Sequence, residues 1–335
     1  MTPSSTELVR RRICIAGAGA IGCTLAARLA LAGHDVSVLA RGRTLEAIRR
    51  DGITLTDLEG THTVRVATGD AASLGPVDIL FTCAKAHDLP ALAPTLAPLL
   101  AAHTLIVPAV NGVPWWYFHG EGGRFAGSRI EAVDPDGRLA ASLPLAQVIG
   151  SVVFITAEAE APARVVVRNP LLVMLGELDN RASERLLGLC ATLESAGIEA
   201  RPLERIRDKL WTKIIANAST NPLSVVTGAT LEALYRPGEL QDTVTAIMRE
   251  TLLVAASYGA RVEIDPLTFV ELGAAMGAVR TSMLQDHDHG RELELAAIGD
   301  AVLELAARFG IPMPVTRQVI ALARFRGQGG RAAGA

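Results

Sequence analysis

The segment Leu210–Leu223, LWTKIIANASTNPL, carries a lysine and two asparagines whose spacing would suit a catalytic or binding site. Lys213, Asn217 and Asn221 follow one another at intervals of four residues, so in a helix they share one face. An ammonium group can donate a proton, and amides can bind a carboxylate or a hydroxyl. The spacing fits the wall of a polar cleft or a solvated helix face. Pro222 is expected to end the helix and to give Asn221 an extended, cap-like geometry.

A second candidate site is the glycine-rich loop near the N-terminus. Arg12–Ala16 is a short apolar run typical of a buried strand, the residues after the loop have helical periodicity, and Val36–Leu39 is the next strand. Inside strand–turn–helix–strand, GxGxxG spacing indicates a dinucleotide site with the pyrophosphate at the helix N-terminus. The predicted cofactor-binding loop is Gly17, Ala18, Gly19, Ala20, Ile21 and Gly22.

The end of the second strand indicates which dinucleotide is bound. NAD sites usually place an acidic residue there to bind the ribose 2′-hydroxyl, but this chain has Ala40 followed by Arg41. A guanidinium pairs well with phosphate. We therefore predict NADP(H), with Arg41 on the 2′-phosphate; the alternative is that Arg41 belongs to a solvated turn.

Two further polar residues follow predicted strands. Lys85 follows the buried run Val77–Ala84, and Asn111 follows another strand, at the strand ends where open α/β sheets bind ligands. Asn111 could bind nicotinamide or substrate, or could belong to an ordinary Asn-Gly turn. The aromatic cluster Trp115–Phe118 could wall a pocket, pack under the sheet or form a subunit interface.

Composition narrows the function classes. The chain has 335 residues, half of them hydrophobic, and a net charge of −3 without a basic stripe or an acidic tail, which argues against nucleic acid. We see neither a transmembrane segment nor a secretion signal, and we expect a cytoplasmic protein, monomeric or homodimeric. The four cysteines form no CxxC pair and are expected to be buried thiols, with a nucleophilic cysteine as the weaker alternative.

The pattern changes from α/β to helical near Pro202. We expect 148–156 and 164–175 to be strands that complete the sheet or extend it in antiparallel fashion. Helices are predicted at 203–220, 239–258, 266–279 and 293–309. The fold class is thus α/β: a Rossmann-type dinucleotide-binding domain at 10–200, a helical domain at 201–326, and a flexible tail at 327–335.

Several motifs together resemble one known family. They are GAGAIG, Arg41, AKAHDL, NGVPWW, LWTKIIANASTNPLS and TSMLQDHDHGRELE, and they are similar to motifs of the ketopantoate reductase (2-dehydropantoate 2-reductase) family over nearly the whole chain. The resemblance implies a Rossmann domain, an all-helical domain and an active site in the cleft between them. It also implies NADPH-dependent reduction of a 2-oxo acid, the pantoate-forming step of pantothenate biosynthesis.

The resemblance also implies roles for individual residues. Lys213 matches the catalytic lysine and Glu294 the acid that works with it. Asn217 and Asn221 match the family's substrate-binding asparagines. Ser282 matches the serine that contacts the substrate carboxylate. Asn111 matches the asparagine near the nicotinamide, and Arg41 and Lys85 match cofactor-binding positions.

Departures from the family pattern leave the substrate open. The family commonly has Asp and a later Asn-Gly where this chain has Ala296 and Gly299-Asp300. Alternative functions are a paralogous NADP-dependent reductase of another 2-oxo acid, and a non-catalytic NADP-sensing protein. The segment Asp286–His289 has metal-ligand residue types, but neighbouring ligands on one turn seldom converge on one ion, so we expect no metal.

Overall fold

The computed structural model describes residues 9–263 and 265–332. These residues form two compact units, the first built from 9–110, 118–128 and 137–206 and the second from 111–117, 129–136, 207–263 and 265–332. The sequence places the boundary at 200/201, whereas the units divide between Ile206 and Arg207. Two short segments of the N-terminal half, 111–117 and 129–136, also belong to the second unit.

The first unit contains a parallel sheet in which β1 lies between β2 and β6. The strands of this unit are β1 Arg12–Ala16, β2 Asp35–Leu39, β3 Ile53–Asp57, β4 Gly60–Val64, β5 Ala67–Thr68, β6 Ile79–Thr82, β7 Leu105–Pro108, β8 Ile149–Phe154, β9 Ala157–Ala161, β10 Arg164–Val167, β11 Leu172–Glu177 and β12 Glu199–Pro202. The parallel sheet has the order β5-β2-β1-β6-β7. Ala16 is in register with Leu39 and with Thr82, so three strands end at one edge. Ligands bind at this edge in open α/β sheets.

The remaining strands build two additional sheets. Their orders are β4-β3-β10-β9 and β12-β11-β8. The predicted run 164–175 divides into β10 and β11, and β11 pairs with β8 in antiparallel fashion. All three sheets contribute to one apolar core, which includes Ile15, Leu55 and Leu175. The alternation of β-branched residues predicts the strands, but pairing between distant strands is decided by tertiary packing.

The first unit has three longer helices, α1, α2 and α6, and three short ones between them. They are α1 Ala20–Leu31, α2 Gly42–Asp51, α3 Ala71–Leu74, α4 Leu89–Leu92, α5 Arg138–Ser142 and α6 Glu184–Ser195. Helix α4 is followed by a 3₁₀ segment, Ala93–Leu99, which contains Pro98. Proline lacks the N–H that an α-helical interior needs, which explains the change of helix type.

The second unit is helical, as predicted. Its helices are α7 Ile206–Thr227, α8 Leu231–Tyr235, α9 Glu239–Ser257, α10 Pro266–Ala274, α11 Ser282–Asp288, α12 Ala301–Ala307 and α13 Pro314–Ala332. A π-helical turn, Ala296–Asp300, precedes α12. The predicted helix 293–309 is therefore shorter and begins with a widened turn. Such π-turns are frequent at functional sites.

The C-terminal segment begins inside the last helix. Helix α13 continues through 327–332, and 333–335 lie outside the described residues. Extending an existing helix gains one backbone hydrogen bond per residue fixed. A methyl group at Gly327 would lie 2.8 Å from Leu293 Cδ1, so glycine here permits close helix packing. Gly327 thus packs closely against Leu293, whereas a Cβ on Gly329 would meet nothing within 4 Å.

Within the described ranges, we find no helix long and apolar enough to cross a membrane.

Candidate active site

The glycine loop is shaped by two very close backbone approaches. Gly17 has φ +116°, and a Cβ there would lie 2.6 Å from Ala84 N. A Cβ on Gly22 would lie 1.9 Å from Gly17 O, so the helix start and the loop touch directly. Neither position can accept a side chain without movement of the backbone. The loop thus lies close against Cys83 and Ala84, the residues that follow β6.

Gly19 is different, because a Cβ there would meet no atom within 4 Å. It is the N-cap of α1, and it has no side chain to cap the first turn. The free N–H groups and the positive end of the helix dipole favour an anion at this point. These features fit a pyrophosphate group, with Gly19 as the position of closest backbone approach.

The predicted cofactor residues Arg41 and Lys85 follow the strands on either side of β1. Arg41 is the N-cap residue of α2, and its side chain is 86% exposed. Its guanidinium is 2.8 Å from a carboxylate oxygen of Asp88. Lys85 directly follows Ala84, the residue whose backbone N closely approaches Gly17. The carbonyl of Lys85 accepts a hydrogen bond from Asp88 N. The structure thus places both basic residues at the edge of the sheet where the glycine loop lies.

The lysine–asparagine stripe lies on one continuous helix, α7. Lys213 and Asn217 are half-buried, and Asn221 is 4% exposed. None of the three is on a fully solvated face, which is the alternative that spacing alone left open. The stripe is therefore a set of partly or fully desolvated polar groups.

The prediction that Pro222 ends the helix is wrong. Helix α7 passes through Pro222 and ends at Thr227. The next turn includes Leu223 and Val225, which are 4% and 0% exposed. An internal proline costs about 3 kcal/mol or more. Burial of two aliphatic side chains at roughly 1.5–3 kcal/mol each offsets that cost. Asn221 is accordingly helical.

Burial and one carboxylate set the charge state of Lys213. Burial lowers the pKa of Lys213 to about 8, and the nearby carboxylate of Glu294 acts in the opposite direction. Glu294 is itself 4% exposed. An ammonium with a pKa near neutrality releases its proton more readily than an ordinary lysine. The pair can therefore donate a proton at physiological pH.

An apolar cluster brings the predicted substrate residues into the same unit. Its buried members are Ala218, Val225, Met283, Leu295, Ile298 and Ala323. Asn217 precedes Ala218, Ser282 precedes Met283, and Glu294 precedes Leu295 in the chain. Ser282 is the first residue of α11 and is exposed.

Asn111 belongs to the second unit although it follows a strand of the first. Gly112 has φ +86°, and a Cβ there would lie 2.4 Å from Ala297 O. Val113 N donates to the same carbonyl at 2.9 Å. This backbone contact places the Asn111 segment against the π-helical turn that follows Glu294.

The aromatic cluster packs mainly inside the second unit. Trp211 Nε1 donates to Tyr117 Oη at 2.6 Å, and Arg207 Nε donates to Tyr117 O at 2.9 Å. Trp116 is 1% exposed, with the Arg207 guanidinium 5.7 Å from its ring centre. The sequence left open a pocket wall, packing under the sheet and a subunit interface; Trp116 and Tyr117 instead contact residues of α7, and these contacts anchor its first turns.

The remaining reactive side chains have other partners. Asp286 is buried and pairs with Arg291 Nε at 2.8 Å, and Asp288 pairs with Arg280. Burial raises the pKa of Cys14 to about 11 and that of Cys23 to about 12, so both are neutral thiols at physiological pH. Cysteine nucleophiles need the opposite shift.

Three polar residues that the sequence did not single out adjoin the predicted site. Asp88 contacts Arg41, and Ser224 of α7 contacts Thr281, the N-cap residue of α11. Both contacts join residues that are far apart in the chain. A motif reports the residues on one element, and no local pattern marks such partners.

Comparison with known proteins agrees with this arrangement. The family model described as Ketopantoate reductase PanE/ApbA matches residues 13–180, and the model for its C-terminal part matches 205–327. The chain belongs to the ketopantoate reductase family. It is therefore an NAD(P)-dependent oxidoreductase of the class that acts on CH–OH groups. The resemblance found in the sequence motifs is confirmed.

Individual relatives match over nearly their full lengths. A 2-dehydropantoate 2-reductase of Mesorhizobium japonicum is 39% identical over 93% of this chain and 97% of its own. The crystal structure of a Ralstonia solanacearum MolK2 protein assigned as a ketopantoate reductase has a TM-score of 0.90 at 38% identity, covering 95% of this chain and 98% of that one. A 2-dehydropantoate 2-reductase of Geobacter metallireducens has a TM-score of 0.82 at 27% identity, covering 93% and 99%.

Proposed function

We propose that the protein reduces 2-dehydropantoate to pantoate with NADPH, and that Lys213 is the general acid. The observation that carries the proposal is the desolvated Lys213 beside the buried carboxylate of Glu294. The identity of the substrate is inferred from relatives that are named 2-dehydropantoate 2-reductase. NADPH, when bound, supplies the hydride that the substrate carbonyl carbon accepts.

Residues of the second unit would stabilise the negative charge that develops on the substrate oxygen. As the carbonyl carbon gains the hydride, negative charge grows on its oxygen, and the Lys213 ammonium stabilises that charge and then gives up its proton. The Glu294 carboxylate keeps Lys213 protonated until then. The product hydroxyl thus takes its hydrogen from Lys213, which is afterwards recharged from solvent.

The amide and hydroxyl groups would orient the substrate. Asn217 and Asn221 present donors and acceptors on the face of α7 that carries Lys213. Ser282 presents a hydroxyl at the exposed start of α11, where the helix dipole favours a carboxylate. We assign Ser282 to the substrate carboxylate, the two asparagines to the substrate hydroxyl and carbonyl, and Asn111 to substrate or nicotinamide.

The residues of the first unit would bind NADPH. The loop Gly17–Gly22 suits the pyrophosphate, Arg41 the 2′-phosphate, and Lys85 a further anionic or polar group of the cofactor. Leu39 ends β2 and Ala40 follows, so this position offers no carboxylate for an NAD ribose. The arrangement therefore favours NADPH.

The departures from the family pattern bear on substrate choice. A Cβ on Gly299 would lie 2.7 Å from Ile320 Cδ1, and Asp300 pairs with Arg324 at 2.6 Å. These two positions are thus explained by packing against α13. Ala296, which is half-buried two residues after Glu294, remains the candidate for an altered substrate preference.

A substrate panel tests the proposal. Purified protein is given NADPH or NADH with 2-dehydropantoate and with other 2-oxo acids, and cofactor absorbance is followed beside a Lys213→Met variant. We expect the highest kcat/KM with NADPH and 2-dehydropantoate, and a loss of turnover in the variant. Higher kcat/KM with another 2-oxo acid would assign a paralogous reductase. Cofactor binding without turnover of any acid would assign a sensor.

A further inference from the structure

The carboxylate that the second strand lacks is supplied by a different part of the fold. Asp88 lies in the turn between β6 and α4, and its Oδ2 is 2.8 Å from the Arg41 guanidinium. Arg41 is the residue that the cofactor proposal assigns to the 2′-phosphate. The cofactor site therefore has a guanidinium from the β2 side and a carboxylate from the β6 side in direct contact.

Helix capping and core packing do not account for Asp88. Its side chain makes no capping hydrogen bond to α4, and it is 38% exposed. Arg41 is 86% exposed. Ion pairs between solvated side chains contribute little to stability. The contact thus acts mainly on what else can bind Arg41.

We propose that Asp88 is a specificity-determining residue of the cofactor site, which weakens binding of a 2′-phosphate and so narrows the preference for NADPH over NADH. This inference rests on the proposed cofactor site. A phosphate that approaches Arg41 must share or displace the Asp88 carboxylate, and the two anions repel each other. NADH has a hydroxyl at this position, and a hydroxyl can donate a hydrogen bond to a carboxylate.

The sign of the effect separates this inference from a supporting role. If Asp88 only oriented Arg41 for the phosphate, its removal would weaken NADPH binding. If Asp88 competes with the phosphate, its removal strengthens NADPH binding. The two roles therefore predict opposite shifts in one dissociation constant.

The test measures cofactor binding without substrate, by nucleotide fluorescence or calorimetry, in the full-length protein. We expect Asp88→Asn to lower the Kd for NADPH by about 3- to 10-fold at low salt and to leave the Kd for NADH unchanged or raised. High salt should shrink the difference, because it screens exposed charges. Asp51→Asn is a matched control, since Asp51 is an exposed partner of Arg50 on the same helix as the Arg41 cap.

A double variant shows whether the effect acts through Arg41. In the Arg41→Ala background, Asp88→Asn should change the Kd for NADPH much less than in the wild type. An unchanged or higher Kd for NADPH in Asp88→Asn would overturn the inference about Asp88 alone. Failure of the wild-type protein to bind NADPH would overturn both this inference and the proposed function.

Discussion

Ser224 Oγ lies 2.6 Å from Thr281 Oγ1, and this contact joins helix α7 to the N-cap of helix α11. The proton of Ser224 is donated to Asn221 O at 2.7 Å. Thr281 Oγ1 accepts from Leu284 N at 3.1 Å. Since a hydroxyl carries one proton, Thr281 must donate to Ser224. The backbone of Asn221 is thereby tied to the residue that precedes Ser282.

We predict that Ser224→Ala raises the KM for the 2-oxo acid by roughly tenfold. The substitution leaves the buried Thr281 hydroxyl without this partner. An unpaired buried hydroxyl costs about 1–3 kcal/mol, and about 1.4 kcal/mol corresponds to a factor of ten. The Kd for NADPH should not change. The control is Thr227→Ala, since Thr227 bonds back to Leu223 O on the same helix. Steady-state kinetics that show equal KM values for the two variants would refute a positioning role.

The pH dependence of turnover should report on Lys213. The acid must be protonated, and its pKa is lowered to about 8, so kcat/KM should be constant below that pH and fall above it. Glu294→Gln removes the charge that raises the pKa of Lys213, and the falling limb should then move to lower pH. A pH–rate profile of both proteins checks this shift. A limb at the same pH in both would show that another group titrates.

Two glycines of the loop should respond differently to alanine. Gly22→Ala should lower the melting temperature, because its Cβ would lie 1.9 Å from Gly17 O. Gly19→Ala should leave the melting temperature close to that of the wild type, since its Cβ meets nothing within 4 Å. The same variant should weaken NADPH binding by about tenfold or more, because the added methyl group would occupy the space that the pyrophosphate approaches. Thermal melts and cofactor titrations of both variants test the assignment. Wild-type affinity in Gly19→Ala would place the pyrophosphate elsewhere.

The features that the sequence predicts are those encoded on single elements. The glycine loop could be recognised because a buried strand, a turn and a helix follow one another within a short segment. The stripe of Lys213, Asn217 and Asn221 could be recognised because helical periodicity alone aligns the three. The division into an α/β part and a helical part follows from the same local periodicities.

The features that the sequence did not predict depend on distant contacts. Helix α7 continues through Pro222 because the following turn packs against residues of α11 and the π-helical turn. The Arg41–Asp88 and Ser224–Thr281 contacts join residues 47 and 57 positions apart. The segment at Asn111 joins the second unit because Gly112 closely approaches Ala297. Local propensity contains no information about such partners.

Transfer of a labelled hydride tests the proposed reaction most directly. The purified protein is incubated with 2-dehydropantoate and NADPH deuterated at the transferable position, and the product is analysed by mass spectrometry and NMR. The proposed function predicts pantoate with deuterium on C2 and the oxidised cofactor in equal amount. Unchanged 2-dehydropantoate, or pantoate without deuterium on C2, would contradict it.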